Sequence, residues 1–541
     1  MTYSSASWRF TALPIVWLLC SACSDATATA TVAAATIATA TTATATTATA
    51  TAAVDRASAP LSERLQEFAA RFESERATLG IPGAAVALLR HGKLVFAGGF
   101  GTKGVDSNEP IDAETLFRIG SMTKVVTAIG VMSAVDDGLL DLDEPLQAAI
   151  PDLALPLPEA NDLTLRLLLS QQSGLRDYLE IDASTEDSAL ATFAADPTLG
   201  ERVDFVNPPG LFWNYSNPNY YLAGRALEAQ GGVSYRHAVA ERVFAPLGMS
   251  RSYFLPSDVI ADGNYTAGFG VNDLLGEGLP ESLSPTAYDN AWARPAGYAF
   301  SNVLDWARLM QFLMQGDPAV VSEESHAELI APQLSTHTLY ADVKTTALGL
   351  GDDYGLGVGL GAGFYLDRRQ HPEQYVPASF IGHGGDIPGF ASTFLAIPET
   401  GFAMVVLSNR DALRPTESIQ FALQSFADLP APAAPPPEHT VDPKRFAQYA
   451  GQYQARDGGT VSVTFDGAQL KLSGSALDAT GLSFEPVLEP TTLDNFELWV
   501  TLGGERFPLE VTFLEGDGGY EWFRSRIAVA QRTDDLPLAV P

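Results

Sequence analysis

Cysteine is nearly absent from this chain. Two occur in 541 residues, Cys20 and Cys23, and both stand close to the N-terminal end. A disulfide framework is therefore excluded for the rest of the sequence. Histidine is also scarce: seven residues are scattered without metal-ligand spacing, so neither a metal nor any other cofactor is implied. Positive charge is in short supply. Against 65 Asp and Glu there are 32 Lys and Arg, a formal net charge of −33. Such a surface argues against binding nucleic acid or anionic lipid and favours solubility. No glycine-rich phosphate loop stands between a strand and a helix. The cluster from Gly349 to Gly363 lacks a lysine and a phosphate-loop order, and reads as turns around a strand. The apolar run Leu13–Leu19 is much shorter than the about 20 residues needed to span a bilayer.

That short run, preceded by Arg9 as the only charge, reads as a secretion signal. Small residues before Cys23 suggest lipoprotein-type cleavage, with Cys23 as the lipidated N-terminus over residues 1–23, although Cys20 sits where leucine is usual. Plain secretion is the alternative. Residues 24–55 are almost entirely Ala and Thr and have no apolar face to bury, which reads as a disordered tether. The expected location is exported: the periplasm or cell envelope, held by lipid, or secreted. Any membrane contact would come only through that anchor.

A first globular unit is expected over 56–429. Leu65, Phe68, Ala69 and Phe72 have helical spacing; Ala84–Leu89 and Leu94–Phe96 read as a hairpin turned at Arg90-His91-Gly92-Lys93. Helical patterns dominate to about residue 250, and strands return between Gly389 and Ser408. A Pro/Ala-rich linker at 430–441 leads to residues 442–541. There Val461, Val463 and Phe465, then Phe507, Leu509, Val511 and Phe513, alternate with polar residues, as in a small antiparallel barrel or curled sheet.

Three motifs carry chemistry. Ser121-Met122-Thr123-Lys124 puts a hydroxyl and an amine on one side of a helix start. A serine hydroxyl is a poor nucleophile until a neighbouring base takes its proton, and the unpaired N–H groups of a helix start favour developing negative charge. Tyr215-Ser216-Asn217 lies on a loop leading into a helix. Its phenol can relay a proton if a nearby ammonium stabilises the phenolate, and its amide offers both a donor and an acceptor. A rival Tyr288-Asp289-Asn290 lacks a following helix pattern. His383-Gly384-Gly385-Asp386 offers an imidazole able to donate to a substrate carboxylate or assist proton transfer, on a backbone that glycine lets run close to a partner. Each motif alone has a structural reading: a solvated lysine, an aromatic turn, a histidine bonded inside a strand.

In this order the three motifs resemble the serine β-lactamase and penicillin-binding-protein superfamily, and more closely its class C-type branch of β-lactamases, D,D-carboxypeptidases, D-amino-acid peptidases and family VIII-like esterases. Ile81–Leu88 is similar to that family's opening strand, Leu168–Leu175 to its Leu-Leu-Ser-His-Thr-Ser-Gly-Leu, and Gly297–Ser301 to another family turn. Phe446–Tyr453 resembles the opening of lipocalin-like domains fused to such hydrolases. The resemblance implies an α/β (α+β) fold: an antiparallel sheet flanked by helices, with a helical lobe, followed by a small all-β barrel-like domain. That last domain could serve oligomerisation, gating or support.

The resemblance further implies that Ser121 forms an acyl-enzyme, with Lys124 and Tyr215 sharing the proton transfers. Asn217 would position substrate and lysine, and the backbone N–H groups of Ser121 and Asp386 would form an oxyanion hole. Which of Lys124 and Tyr215 is the base stays open. His383 would tune the tyrosine or hold the substrate's far end. It stands where β-lactamases usually carry lysine, Gly384 where many members have a hydroxyl residue, and Gln171-Gln172 where His-Thr is usual. The departures at His383 and Gly384 favour a small peptide, amide or ester substrate over a β-lactam, and the one at Gln171-Gln172 bears on substrate contacts near that loop. The competing reading is a catalytically silent envelope module of the same fold that binds or senses wall peptides.

Overall fold

The computed structural model describes residues 60–155, 158–180, 183–270, 282–336, 342–346, 351–437, 440–502, 505–516 and 519–533. The expected signal segment, Cys23 and the Ala/Thr tract lie outside them. The first unit opens with helix α1 (Leu61–Thr78), followed by the hairpin β1 (Gly83–Arg90) and β2 (Lys93–Gly101). His91 and Gly92 both have positive φ, 51° and 71°, as a two-residue type I′ turn demands. A tight turn at Gly120–Met122 then enters helix α2 (Thr123–Asp136), which is followed by the short α3 (Leu165–Leu169), α4 (Asn217–Gly231) and α5 (Val303–Gln315). Pro218 preorganises the first turn of α4, and Gly232 ends it in the left-handed region.

The other strands of the main sheet are β3 (Leu334–Ser335), β4 (Asp353–Tyr354), β5 (Gly359–Gly361), β6 (Phe380–Ile387), β7 (Phe390–Ile397) and β8 (Phe402–Ser408), with α6 (Thr416–Phe426) closing the unit. They form one antiparallel sheet in the order β2-β1-β8-β7-β6-β5-β4-β3. First and last strands therefore meet: Val86 pairs with Val406 on one side and Gly98 on the other. β1 reads as an unbroken apolar run because both its faces are buried. Ala85, Ala87 and Leu89 join the core beneath α2 and α5, while Ala84, Val86 and Leu88 pack with Phe68, Phe72 and Phe426 of α1 and α6. Helices thus cover the sheet on both faces, and the helical segments between β2 and β3 build the second lobe.

The C-terminal unit is a closed up-and-down barrel of eight strands: β9 (Gly451–Gln454), β10 (Thr460–Phe465), β11 (Leu470–Ser473), β12 (Ser483–Thr492), β13 (Asn495–Leu502), β14 (Glu505–Gly516), β15 (Gly519–Ser525) and β16 (Val529–Arg532). Tyr453 pairs with Arg532 to close it. Inward-facing Val461, Val463, Leu509, Val511 and Phe513 are the alternating apolar residues, and Tyr449 stacks on Phe513 at 4.6 Å inside.

The barrel rests on the segment that leads to Tyr215. Phe212 packs with Leu514, Trp522 and Val529. The buried Arg524 donates to the carbonyls of Trp213 (2.8 Å) and Thr336 (2.7 Å) while paired with Glu510 at 2.9 Å. A buried guanidinium needs such acceptors, since leaving it unpaired costs several kcal/mol (on the order of 3–5).

Candidate active site

Ser121 and Lys124 share one helical turn, so their meeting is local. Lys124 Nζ lies 3.1 Å from Ser121 Oγ and is fully buried. It also donates to Asn217 Oδ1 (2.7 Å) and to the carbonyl of Ala296 (2.8 Å). Burial pushes its pKa well below the usual lysine range. The nearby Asp177 opposes that shift and Arg526 adds to it. A free amine has two hydrogens and a lone pair. In that form the two short contacts to carbonyl oxygens would take the hydrogens and leave the lone pair for the Ser121 hydroxyl.

Tyr215 arrives from the loop before α4. Its ring lies 4.9 Å from Lys124 Nζ and 6.5 Å, centroid to centroid, from His383. Burial raises its pKa well above 10, so it is a neutral phenol at physiological pH; Arg526 and a hydrogen bond with Ser121 pull the other way. Two struts hold this loop. Gln171 accepts from Ser216 N (2.9 Å) and Asn219 Nδ2 (2.6 Å). Asp177 Oδ1 accepts from both the backbone N (2.9 Å) and the Nδ2 (3.0 Å) of Asn217. Gln171 is thus a buried support, bonded within the protein.

The third motif places its backbone at the serine. Gly120, at φ 50°, and Gly385 let β6 press against the Ser121 turn. A Cβ on Gly120 would sit 2.7 Å from Asp386 N, and one on Gly385 would sit 2.9 Å from Ser121 N. The N–H groups of Ser121 and Asp386 therefore belong to one small region, as an oxyanion hole needs. Gly384 follows His383 in the same strand and pairs with Thr393. The Asp386 carboxylate turns to Arg414 at 2.8 Å.

His383 is 2% exposed. Its Nδ1 donates to the Gly384 carbonyl (2.5 Å), which leaves Nε2 to accept from the Tyr354 hydroxyl (3.2 Å). Burial, with Lys124 second, pulls its pKa down to about 3. It sits behind Tyr215 and is not part of the cleft wall, so of the two roles open to it, holding the substrate's far end is not the one this placement serves. Nitrogen-detected NMR is expected to find His383 as the neutral Nδ1–H form from pH 5 to 8; a titration within that window would contradict the placement.

A narrow cleft opens at Ser121, lined also by Leu179, Asn217, Ala296, Tyr298, Ile387 and Arg526. A broader, open depression beside Arg225, Glu228 and Ser234 contains none of the motif residues. The rival Tyr288 and Asn290 serve elsewhere: Tyr288 donates to the Pro388 carbonyl (2.5 Å) and packs on Arg118, and Asn290 donates to the Glu180 carbonyl (2.6 Å). No group of His, Cys, Asp and Glu suited to a metal occurs among the described residues.

The sequence reading missed Asp177, Ala296 and Arg526. Asp177 follows the Leu168–Leu175 segment by two residues, a proximity that could have drawn attention to it. Ala296 acts through its carbonyl, which no side-chain motif reveals. Arg526 comes from the turn between β15 and β16 of the barrel, with its Cζ 4.6 Å from the Tyr215 ring centroid and Nη2 3.5 Å from Asp177.

The family model described as beta-lactamase matches residues 68–426, and the chain belongs to that family. The chain is 25% identical over 402 residues to penicillin-binding protein 4* of Bacillus subtilis, an alignment covering 70% of this chain and 81% of that protein. Among solved structures, SurE superposes with a TM-score of 0.62 at 22% identity, covering 88% of this chain and all of that one. The D-amino acid amidase of Ochrobactrum anthropi SV3 superposes at 0.52, also at 22% identity, covering 67% and 98%. These two likenesses are likenesses of fold.

Proposed function

We propose that this chain is a serine acyl hydrolase that works through a covalent Ser121 ester and acts on a D-amino-acid peptide, an amide or a small ester. The observation that carries this reading is the 3.1 Å contact between Ser121 Oγ and a desolvated Lys124 held by two carbonyl acceptors. Lys124 takes the hydroxyl proton as Oγ bonds to the substrate carbonyl carbon. The oxygen of that carbonyl moves between the N–H groups of Ser121 and Asp386, where each donor is worth about 3 kcal/mol in the transition state. As the bond to the leaving nitrogen or oxygen breaks, Tyr215 gives it a proton and is reprotonated from Lys124. Water then attacks the ester with the same groups in reverse, which releases the acid and restores Ser121. His383 supports this by filling the space behind Tyr215 without adding charge.

Two features favour this over a silent binding module. The hydroxyl, amine and phenol are all present, and burial shifts the amine toward its free form. The test is to treat the purified protein with a fluorophosphonate probe and locate the adduct by mass spectrometry. A mass shift on Ser121, absent in Ser121→Ala, is the expected result. An unlabelled wild type would return the silent module to first place. Nitrophenyl esters, D-Ala-D-Ala peptides and nitrocefin would then rank the substrate classes.

A further inference from the structure

Each of the two N–H groups at the oxyanion region belongs to a peptide whose carbonyl is itself held by a side chain. The Ser121 N–H shares its peptide with the Gly120 carbonyl, which accepts from Thr123 Oγ1 at 2.7 Å. The Asp386 N–H shares its peptide with the Gly385 carbonyl. There Arg414 Nη2 donates at 3.1 Å, and Ser392 Oγ stands 3.2 Å away while it bonds the Ile119 carbonyl at 2.8 Å. Arg414 comes from the segment between β8 and α6 and is fixed on several sides. Its Nε donates to the Ser392 carbonyl (3.1 Å), and Nη2 also reaches that carbonyl (3.0 Å) and Asp386 Oδ2 (2.8 Å). The side chain is 8% exposed and stands outside the wall of the cleft at Ser121.

Resting on the acyl-transfer reading above, we infer that Arg414 is a positioning residue for the oxyanion hole, which clamps and polarises the Gly385–Asp386 peptide so that Asp386 N–H meets the developing oxyanion. In a planar trans peptide the carbonyl and the N–H point in opposite directions. Gly385 pairs with Ser392 of β7, so a clamp on its carbonyl from that side turns Asp386 N–H away from β7 and toward the Ser121 turn. A donor on the carbonyl also draws electron density from the amide, and linked hydrogen bonds strengthen one another. Charge makes a second contribution. Asp386 brings a carboxylate next to the hole; burial raises its pKa, and Arg414 is the leading influence in the other direction. An anion left unneutralised there would repel the oxyanion. Arg414 offsets it without touching substrate, and no bond or proton changes hands at the guanidinium.

Arg414→Met is expected to lower kcat for a nitrophenyl ester by about 10- to 100-fold, the range for a hydrogen bond to a charged group. KM should change little, because the oxyanion exists only in the transition state. Arg414→Lys is expected to keep part of the rate. Ser392→Ala removes the weaker donor on the same carbonyl and should cost about 3- to 10-fold. Infrared difference spectra of the acyl-enzyme read the hole itself: the ester carbonyl stretch should move to higher frequency in Arg414→Met. A merely structural arginine would cost stability in urea and leave kcat and this frequency where they are. That result, or a loss confined to KM, would overturn the inference. If Arg414→Met does not fold, Ser392→Ala carries the same two readouts. The Asp386 amide signal in NMR separates this claim from the one it rests on. A protein whose Ser121 takes no fluorophosphonate, but whose Asp386 amide nitrogen moves upfield in Arg414→Met, would keep the clamp and lose the reaction. A labelled Ser121 with kcat, ester frequency and amide signal unchanged in Arg414→Met would do the reverse.

Discussion

Lys124→Met is expected to lower kcat/KM by about 100- to 10,000-fold, the usual worth of a positioned general base. Methionine fills nearly the same volume in a pocket with no solvent access, so a large loss would report the missing amine. The fold should survive. Asn217 Oδ1 and the Ala296 carbonyl lose a donor, a cost of about 1–3 kcal/mol for buried acceptors left unpaired.

The pH dependence gives a second signature. Because burial lowers the Lys124 pKa in the folded state, the unfolded chain binds a proton that the folded chain does not. That difference persists from the lowered pKa up to about 10.4, the ordinary lysine value. Wild type therefore loses stability through this group as pH falls within that window. Lys124→Met has no such group, so the stability gap between the two should narrow from pH 9 to pH 7. Urea titrations at both values, beside ester turnover, check this. A variant with more than a tenth of wild-type turnover would remove Lys124 from the proton path.

Gly385→Ala is expected to cost about 100- to 1,000-fold in kcat, the effect of losing an oxyanion donor. The added methyl would lie 2.1 Å from the Ile119 carbonyl and 2.5 Å from Ser392 Oγ. Backbone cannot yield by that much in place, so β6 must withdraw from the Ser121 turn and carry Asp386 N–H with it. The loss should fall on kcat rather than KM, because the donors tighten on charge that exists only in the transition state. Steady-state kinetics with a nitrophenyl ester reads the split. A variant with near-normal kcat would mean that Asp386 N–H takes no part in holding the oxyanion.

Legibility followed distance along the chain. Ser121 and Lys124 could be paired on sight because three residues of helix bring them together. The hairpin of β1 and β2 was equally plain, since its turn and alternation are local. Tyr215 needed its context: the helix after it set it apart from Tyr288, which packs on Arg118 instead. Part of the glycine-rich stretch before residue 363 proved to be strand β5, Gly359–Gly361, while residues 347–350 lie outside the described residues. His383 was visible as a residue but not in its role, because that role depends on Tyr354 and on burial. Gln171, which looked like a departure at the substrate, is a strut because its partners are Ser216 and Asn219, 45 and 48 residues away.

By itself the sequence determined that Ser121 and Lys124 stand side by side and that strands alternate in both units, since these depend on helical and strand periods alone. Only the tertiary structure decided how charge is distributed at the site. Lys124 is shifted toward its free amine and His383 is neutral because packed neighbours exclude water from them. Asp177 and Arg526 meet across 349 residues of chain because the barrel docks beside Tyr215. Solvation and through-space charge follow contacts between distant segments, and no local pattern of residues encodes them.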